Sequence, residues 1–382
     1  MATELKLRGG TTAEHATFTG AAREATVDTD KNTIVVHDGS TAGGFPLARE
    51  EAGQGVFAKA DPYSVAWERP TGDTVRTAQQ LFIEVDGRVF TIPAQTTVTV
   101  PSFSAGTDYA IWAKPDGSLE ATSSFVNPPV AGSRWVGGFH YAPGGNAPLD
   151  PAGNWANHDG GNTTPQINEY SFYDLKWRPA VADPRGLTLV NNAFWAGIYH
   201  LVRDHLSGPA HRYNAAIAKD GQNPQNPYGD GSQYYSDSNW WNISEALAYH
   251  GFSNFTPQDF QIAAIGVKEQ ASRGNDPVTT GIATTNAGSS NGDEKFTSHW
   301  GCFQMTGVVQ IWAADLAVSS SNQTTSGLQG RGGRNRYSTA ANLGRFWDSG
   351  SESGSRAANS STPWRSTASL GGRGRCDHLI LV

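Results

Sequence analysis

The chain has 382 residues, of which 16% are charged and 37% apolar, and it carries 44 glycines, 12 tryptophans and 2 methionines. That length suits two or three domains, and the wealth of Gly, Ser, Thr and Trp argues for strands, turns and long ordered loops over a helical bundle. A net charge of −7 lends no support to nucleic-acid binding, and two cysteines, Cys302 and Cys376, do not make a disulfide framework. The start, Met1 to Arg8, lacks an apolar core of the secretory kind, and no apolar run is long enough to cross a bilayer. The expectation is a soluble chain, synthesised in a cytoplasm, without membrane insertion.

Residues 1–50 read as strand, turn, strand. Glu24-Ala25-Thr26-Val27 leads into the polar turn Asp28 to Asn32, and Thr33-Ile34-Val35-Val36-His37 ends at Asp38-Gly39. So short a segment buries little alone, so stabilisation by intertwining with copies of itself is expected. Residues 51–165 form a second, all-β unit. Leu81 to Val85, then Asp86-Gly87, then Arg88 to Ile92 is a hairpin signal, because Asp-Gly suits a type I′ turn. Thr97 to Val100, Tyr109 to Ala113 and Trp135 to Tyr141 continue the strand pattern, Pro115-Asp116-Gly117 turns the chain, and Ala142 to Pro165 reads as a linker.

Residues 166–382 hold the helices. Ile243, Ala246, Leu247 and His250 fall at helical spacing before Gly251. Thr256-Pro257-Gln258-Asp259 reads as N-cap, proline at the first position and an acid in the first turn, with Phe260, Ala263 and Ala264 on one face. From Ser319 to Arg375 the composition alone would suggest disorder, but Phe346, Trp347 and Trp364 punctuate it. The apolar run from Cys376 to Val382 follows at once, and a terminal strand paired in a sheet would tie the preceding loops down.

Several long motifs carry a family resemblance. Gly9-Gly10-Thr11-Thr12-Ala13-Glu14-His15, Val27-Asp28-Thr29-Asp30-Lys31-Asn32, His37-Asp38-Gly39 and Gly43-Gly44-Phe45-Pro46-Leu47 are similar to the N-terminal module of phage tail fibres. With Val136 to Gly144, Gln166 to Tyr170, Asp183 to Gly186, Gly354 to Ala358 and Cys376 to Leu381, the likeness spans nearly the whole chain. It is to the major tropism determinants, a family of tail fibre receptor-binding proteins. The resemblance implies a mainly β chain with an α+β C-terminal domain. It implies an N-terminal β-prism trimerisation module at 1–50, a β-sandwich at 51–165 and a C-type-lectin fold, like that of formylglycine-generating enzymes, at 166–382. It also implies a homotrimer at the tip of a virion's fibre, binding a host surface protein or glycan through a region, 344–375, diversified by a retroelement that mutates adenines of a template.

Carried over residue by residue, the variable positions are Phe346, Asp348, Ser349, Gly350, Glu352, Asn359, Ser361, Arg365, Thr367, Ser369 and Leu370, with Trp347 and Arg356 as fixed anchors. The sequence departs from the family pattern where Gly-Gly becomes Gly344-Arg345, and the loop after Ala358 is one residue shorter. Glu352 cannot arise from an asparagine codon altered at its adenines, so it needs another codon or is fixed.

Diversification requires a backbone that holds its shape whatever the side chains are. A ring that can be buried and a guanidinium with five donors for carbonyls suit anchoring, though Trp347 and Arg356 could each face a ligand instead. The remaining candidates, short polar residues with one aromatic, have the composition of a paratope. Arg331 to Arg375 contains eight arginines against Asp348 and Glu352, which favours an anionic partner unless the arginines satisfy loop carbonyls.

Catalytic chemistry finds little footing. Trp240 to Gly251 and Thr256 to Phe260 resemble the helix-loop-helix of formylglycine-generating enzymes, but Cys302 and Cys376 lack the surroundings of their reactive cysteines. His299-x-x-Cys302 fits zinc ligation and Cys376-x-His378 is too tight, so buried thiols and no cofactor are expected. A polysaccharide-cleaving tailspike is the enzymatic alternative, although no β-helical repeat period is present.

Overall fold

The computed structural model describes residues 7–30, 33–46, 55–149, 159–274, 276–277, 293–318 and 338–381. At the N-terminus, strands Ala25–Asp28 and Thr33–Val36 pair antiparallel, as their β-branched runs require, and Gly9–Gly10 and Phe45–Pro46 complete a four-stranded sheet. The sequence reading missed one element here, the helix α1, Thr12–Thr17. Its signal is Thr11-x-x-Glu14: the Thr11 hydroxyl accepts from Glu14 N while the Glu14 carboxylate accepts from Thr11 N, a reciprocal cap.

The next unit is built on the predicted hairpin. Leu81–Val85 and Arg88–Ile92 pair, and both turn residues, Asp86 at φ 51° and Gly87 at φ 74°, take the left-handed conformation a type I′ turn demands. Alternation along the first strand sends Leu81, Ile83 and Val85 into a core shared with Trp67, Ile111, Val136, Phe139 and Phe172. The strand Arg134–Ala142 pairs with Thr107–Ala113 on one side and with Gln166–Ile167 and Tyr173–Asp174 on the other. The expected boundary at 165 therefore falls inside a sheet. Within the expected linker, residues 150–158 lie outside the described residues, whereas Gly161 N donates to Glu294 O and so ties this segment to the C-terminal unit.

In that unit the terminal strand Arg375–Ile380 lies inside a four-stranded sheet, between Trp177–Pro179 and Phe194–Gly197, with Leu187–Val190 beyond. The apolar C-terminus is thus paired as its composition predicted. Helix α2, Trp240–Tyr249, starts on Asn239, whose side chain accepts from Asn242 N, and turns Ile243, Ala246 and Leu247 into the core. Helix α3, Pro257–Ala263, starts on Thr256, whose hydroxyl accepts from Asp259 N. A second sheet runs Ala358–Ser361, Ser338–Leu343, Gln310–Val318, Leu370–Gly371. Sequence reasoning did not find it, because Ser-Thr-Ala-Ala-Asn-Leu and Ala-Asn-Ser-Ser lack strand propensity. No helix among the described residues is long and apolar enough to cross a membrane.

Candidate functional site

The second sheet carries the candidate positions. Phe346 to Glu352 lie on the connection between strands Ser338–Leu343 and Ala358–Ser361, Asn359 and Ser361 lie on the latter edge strand, and Arg365 to Ser369 lie on the loop leading to Leu370–Gly371. Both loops are fixed mainly through main-chain atoms. Gly344 N donates to Ala357 O at 2.9 Å, closing the first loop, and Gly307 N donates to Gly344 O at 2.8 Å. The Ser272 hydroxyl donates to Trp347 O and accepts from Gly350 N, both at 2.9 Å. The Glu269 carboxylate accepts from Ser355 N at 3.0 Å, and Gln270 N donates to Ser353 O at 2.9 Å. In the second loop Pro363 O accepts from Trp240 N at 2.8 Å, and the Ser366 hydroxyl joins Ser238 N to Asp220. Most partners that hold these loops therefore belong to residues outside 344–375.

Of the expected variable residues, Asp348, Gly350, Glu352, Asn359 and Arg365 are exposed, and Phe346, Ser349, Thr367 and Ser369 are half-buried. Two depart from the expected display. Leu370 is buried in the core that holds Trp195, Leu201 and Ile243, because its short strand at the edge of the sheet, paired with Gln310–Ile311, turns it inward. Ser361 is also buried, its hydroxyl accepting from Asn342 Nδ2 at 2.9 Å. Trp347 packs half-buried against Ile217, Phe296, Val308 and Val309, with Phe346 edge-on.

Arg356 does not fill the anchoring position expected of it: it is exposed. The guanidinium that satisfies carbonyls is Arg373, fully buried, whose Nη1 donates to Gly197 O and Ile198 O at 2.7 and 2.5 Å and whose Nη2 donates to Phe303 O and Gln304 O at 2.5 and 3.3 Å. Burial pushes this guanidinium down to about 10, which leaves it charged at neutral pH. Its signal was the run of glycines around it: a Cβ on Gly372 would meet Ile243 at 2.5 Å, and one on Gly374 would meet Phe252 at 2.7 Å.

The expected basic surface also shrinks. Arg331, Arg334 and Arg336 lie outside the described residues, Arg345 pairs with Glu352 at 3.0 Å, and Arg375 pairs with Asp259 and Asp377. Arg356 and Arg365 remain exposed, with no ion pair among the described residues. Trp364, 54% exposed, was not among the candidates but shares their loop.

Cys302 and Cys376 are separate buried thiols, the latter pushed up to about 12 by burial. His299 is engaged by Ala147 O and the Tyr170 hydroxyl, and His378 accepts from Trp195 Nε1. Among the described residues no group of three or more His, Cys, Asp or Glu could hold a metal ion.

Comparison with known proteins places this architecture. Residues 5–41 match the model of the major tropism determinant N-terminal domain and residues 66–174 that of the Mtd second domain. The tail fiber receptor-binding protein of Bordetella phage BPP-1 is 46% identical over 390 residues, covering the whole of both chains. Among solved structures, the P3c variant of the major tropism determinant superposes with a TM-score of 0.79 at 45% identity, and the U1 variant with 0.78 at 45%, each over 99% of this chain and 100% of the other. The fold is mainly β with a C-type-lectin-like C-terminal part, and the chain belongs to the major tropism determinant family of phage tail fibre proteins.

Proposed function

We propose that this chain is the receptor-binding component of a phage tail fibre, and that it attaches the virion to a host surface molecule through the two loops between Phe346 and Ser369. The observation that carries this is the way the loops are held. Their backbones are fixed by Ser272, Glu269, Gln270, Trp240 and Gly307, while Asp348, Gly350, Asn359 and Arg365 stand in solvent. Such a face tolerates exchange of its exposed side chains, which is what diversification by a retroelement needs. Leu370 and Ser361, being buried, are the positions where exchange costs stability.

The chain works as a homotrimer and not as an enzyme. Residues 1–50 associate the subunits, the sandwich that begins at 51 takes in Gln166–Ile167 and Tyr173–Asp174 as well, and the chain beyond them to 382 presents the face. Three faces on one fibre tip bind with avidity even if each is weak. Adsorption of the labelled, purified chain to a panel of bacterial strains tests the reading. Asp348→Ala, Asn359→Ala and Arg365→Ala combined should lower adsorption at least about tenfold, as loss of central contacts does. Unchanged adsorption, or release of reducing sugars from host glycans, would overturn it. A near-copy of the DNA encoding 344–375, altered where the copy has adenine and lying beside a reverse transcriptase gene, tests the diversification separately.

A further inference from the structure

Among the described residues, one side of α2 is left uncovered. Trp241, Glu245 and Tyr249 succeed one another at four-residue steps and so form one stripe, facing away from Ile243, Ala246 and Leu247. Trp241 is 55% and Tyr249 53% exposed. Glu245 accepts a hydrogen bond from the Tyr235 hydroxyl at 2.5 Å, and Tyr228 stands edge-on to Tyr249 with ring centres 6.5 Å apart. The stripe runs into the candidate face, because Trp240 N donates to Pro363 O, and Trp241 and Trp364 each follow one member of that bonded pair. Exposed Trp and Tyr gathered in one patch are the residues that interface centres enrich.

The charges decide between partners. The loops carry exposed Arg356 and Arg365, the latter two residues after Pro363, whereas the helix side sets the Glu245 carboxylate between two ring-bearing positions. A polyanionic glycan would suit the arginines and be repelled by the helix. A protein surface of mixed charge suits both halves, and a Lys or Arg side chain laid along α2 would gain ring faces and a carboxylate together.

We propose that the Trp241–Glu245–Tyr249 stripe is a constant part of the receptor contact, lying outside the diversified segment, and that it takes a basic side chain of a protein receptor. The proposal rests on the receptor-binding reading of the adjoining loops. It is tested with the full chain on a strain to which the unaltered protein adsorbs. Trp241→Ala and Glu245→Gln should each weaken adsorption by about tenfold. Glu245→Gln should also make the residual binding less sensitive to salt, and shaving the cells with protease should abolish adsorption.

Because both residues are exposed, the variants should keep their thermal midpoint, so a lost signal is not lost folding. Several results would overturn the proposal: unchanged adsorption by both variants, adsorption that survives protease but not periodate treatment of the cells, or a changed oligomeric mass of the variants. The last would make the stripe a contact between copies. Loss of adsorption in the loop variants with none in the α2 variants sinks this proposal alone. Failure of the unaltered chain to adsorb to any strain sinks the reading beneath it.

Discussion

Arg345 occupies the left-handed region at φ 59°, where a Cβ is unwelcome and where the family pattern has glycine. Its pairing with exposed Glu352 contributes little, since such pairs yield about 0–1 kcal/mol. Arg345→Gly should therefore leave stability within about 1 kcal/mol of the parent, relief of backbone strain offsetting the lost pair. The neighbouring glycine behaves differently. Gly344 has φ 85°, and a Cβ there would come within 2.9 Å of both Met305 O and the Phe260 ring, so Gly344→Ala should cost about 2 kcal/mol or more. Thermal melts of the two variants side by side check both expectations.

Arg373 presents the opposite lesson from Arg356. Arg373→Lys should destabilise the chain strongly, because one ammonium cannot reach the four carbonyls that the fork serves, whereas Arg356→Ala should leave the melting point unchanged. Spacing could not tell these two arginines apart. What distinguishes them is the approach of Gly197, Ile198 and Phe303 to a residue far along the chain, and only the close-packed glycines beside Arg373 hinted at it.

Among elements, those with local causes were legible. The Asp86-Gly87 turn, the Thr256 cap with Pro257, and the apolar spacing of α2 each fix their own conformation within a few residues. The strands of the second sheet have no such local cause. They are strands because Gln310–Val318 pairs with Ser338–Leu343 and that in turn with Ala358–Ser361, and the sequence shows the pairing nowhere. The same non-local cause buried Leu370, which motif alignment alone had placed among the displayed residues.

The pins outside the loops should control their order. Ser272→Ala removes one hydroxyl that serves both Trp347 O and Gly350 N, and Glu269→Gln weakens the acceptor of Ser355 N. Faster amide exchange confined to residues 344–357, with little change in global stability, is the expected result by hydrogen-exchange mass spectrometry. Exchange rates equal to the parent's would show that the loop holds its shape without them.

At the scale of the whole molecule, buried neutral histidines set the response to acid. Burial lowers His205 to about 4 and His211 to about 3, and it lowers His200 and His250 in the same direction. A folded value below the ordinary 6.5 means that the unfolded chain takes up protons first as the pH falls. The stability these groups contribute is complete above 6.5 and is lost on the way down towards 4 and below. Asp293, raised by burial to about 6, and Asp174, raised by burial in the same direction, act in the reverse sense, but they are two carboxyls, each facing a cation, against four histidines. The melting temperature should therefore fall between pH 6.5 and 4, and a flat profile across that window in scanning fluorimetry would contradict the account.

The Asp174 carboxylate, closed off from solvent, accepts from Lys59 Nζ at 3.0 Å, from Ala66 N at 2.9 Å and, through its other oxygen, from Lys176 N and Trp177 N at 2.7 and 2.9 Å. Nearby, Asp108 bonds His140 and Gly186 N, and a Cβ on Gly106 would collide with Tyr213. A truncated fragment beginning at residue 166 would lose Lys59, Ala66 and the strand Arg134–Ala142 that pairs with Tyr173–Asp174, and would expose Ile167 and Phe172, whose core lies in the removed part. The smallest autonomous piece that carries the binding loops should thus begin ahead of Lys59. Anyone wishing to graft this face onto another carrier must transplant the stalk-side sheet with it, and its aim is then inherited from that sheet instead of being set by a hinge.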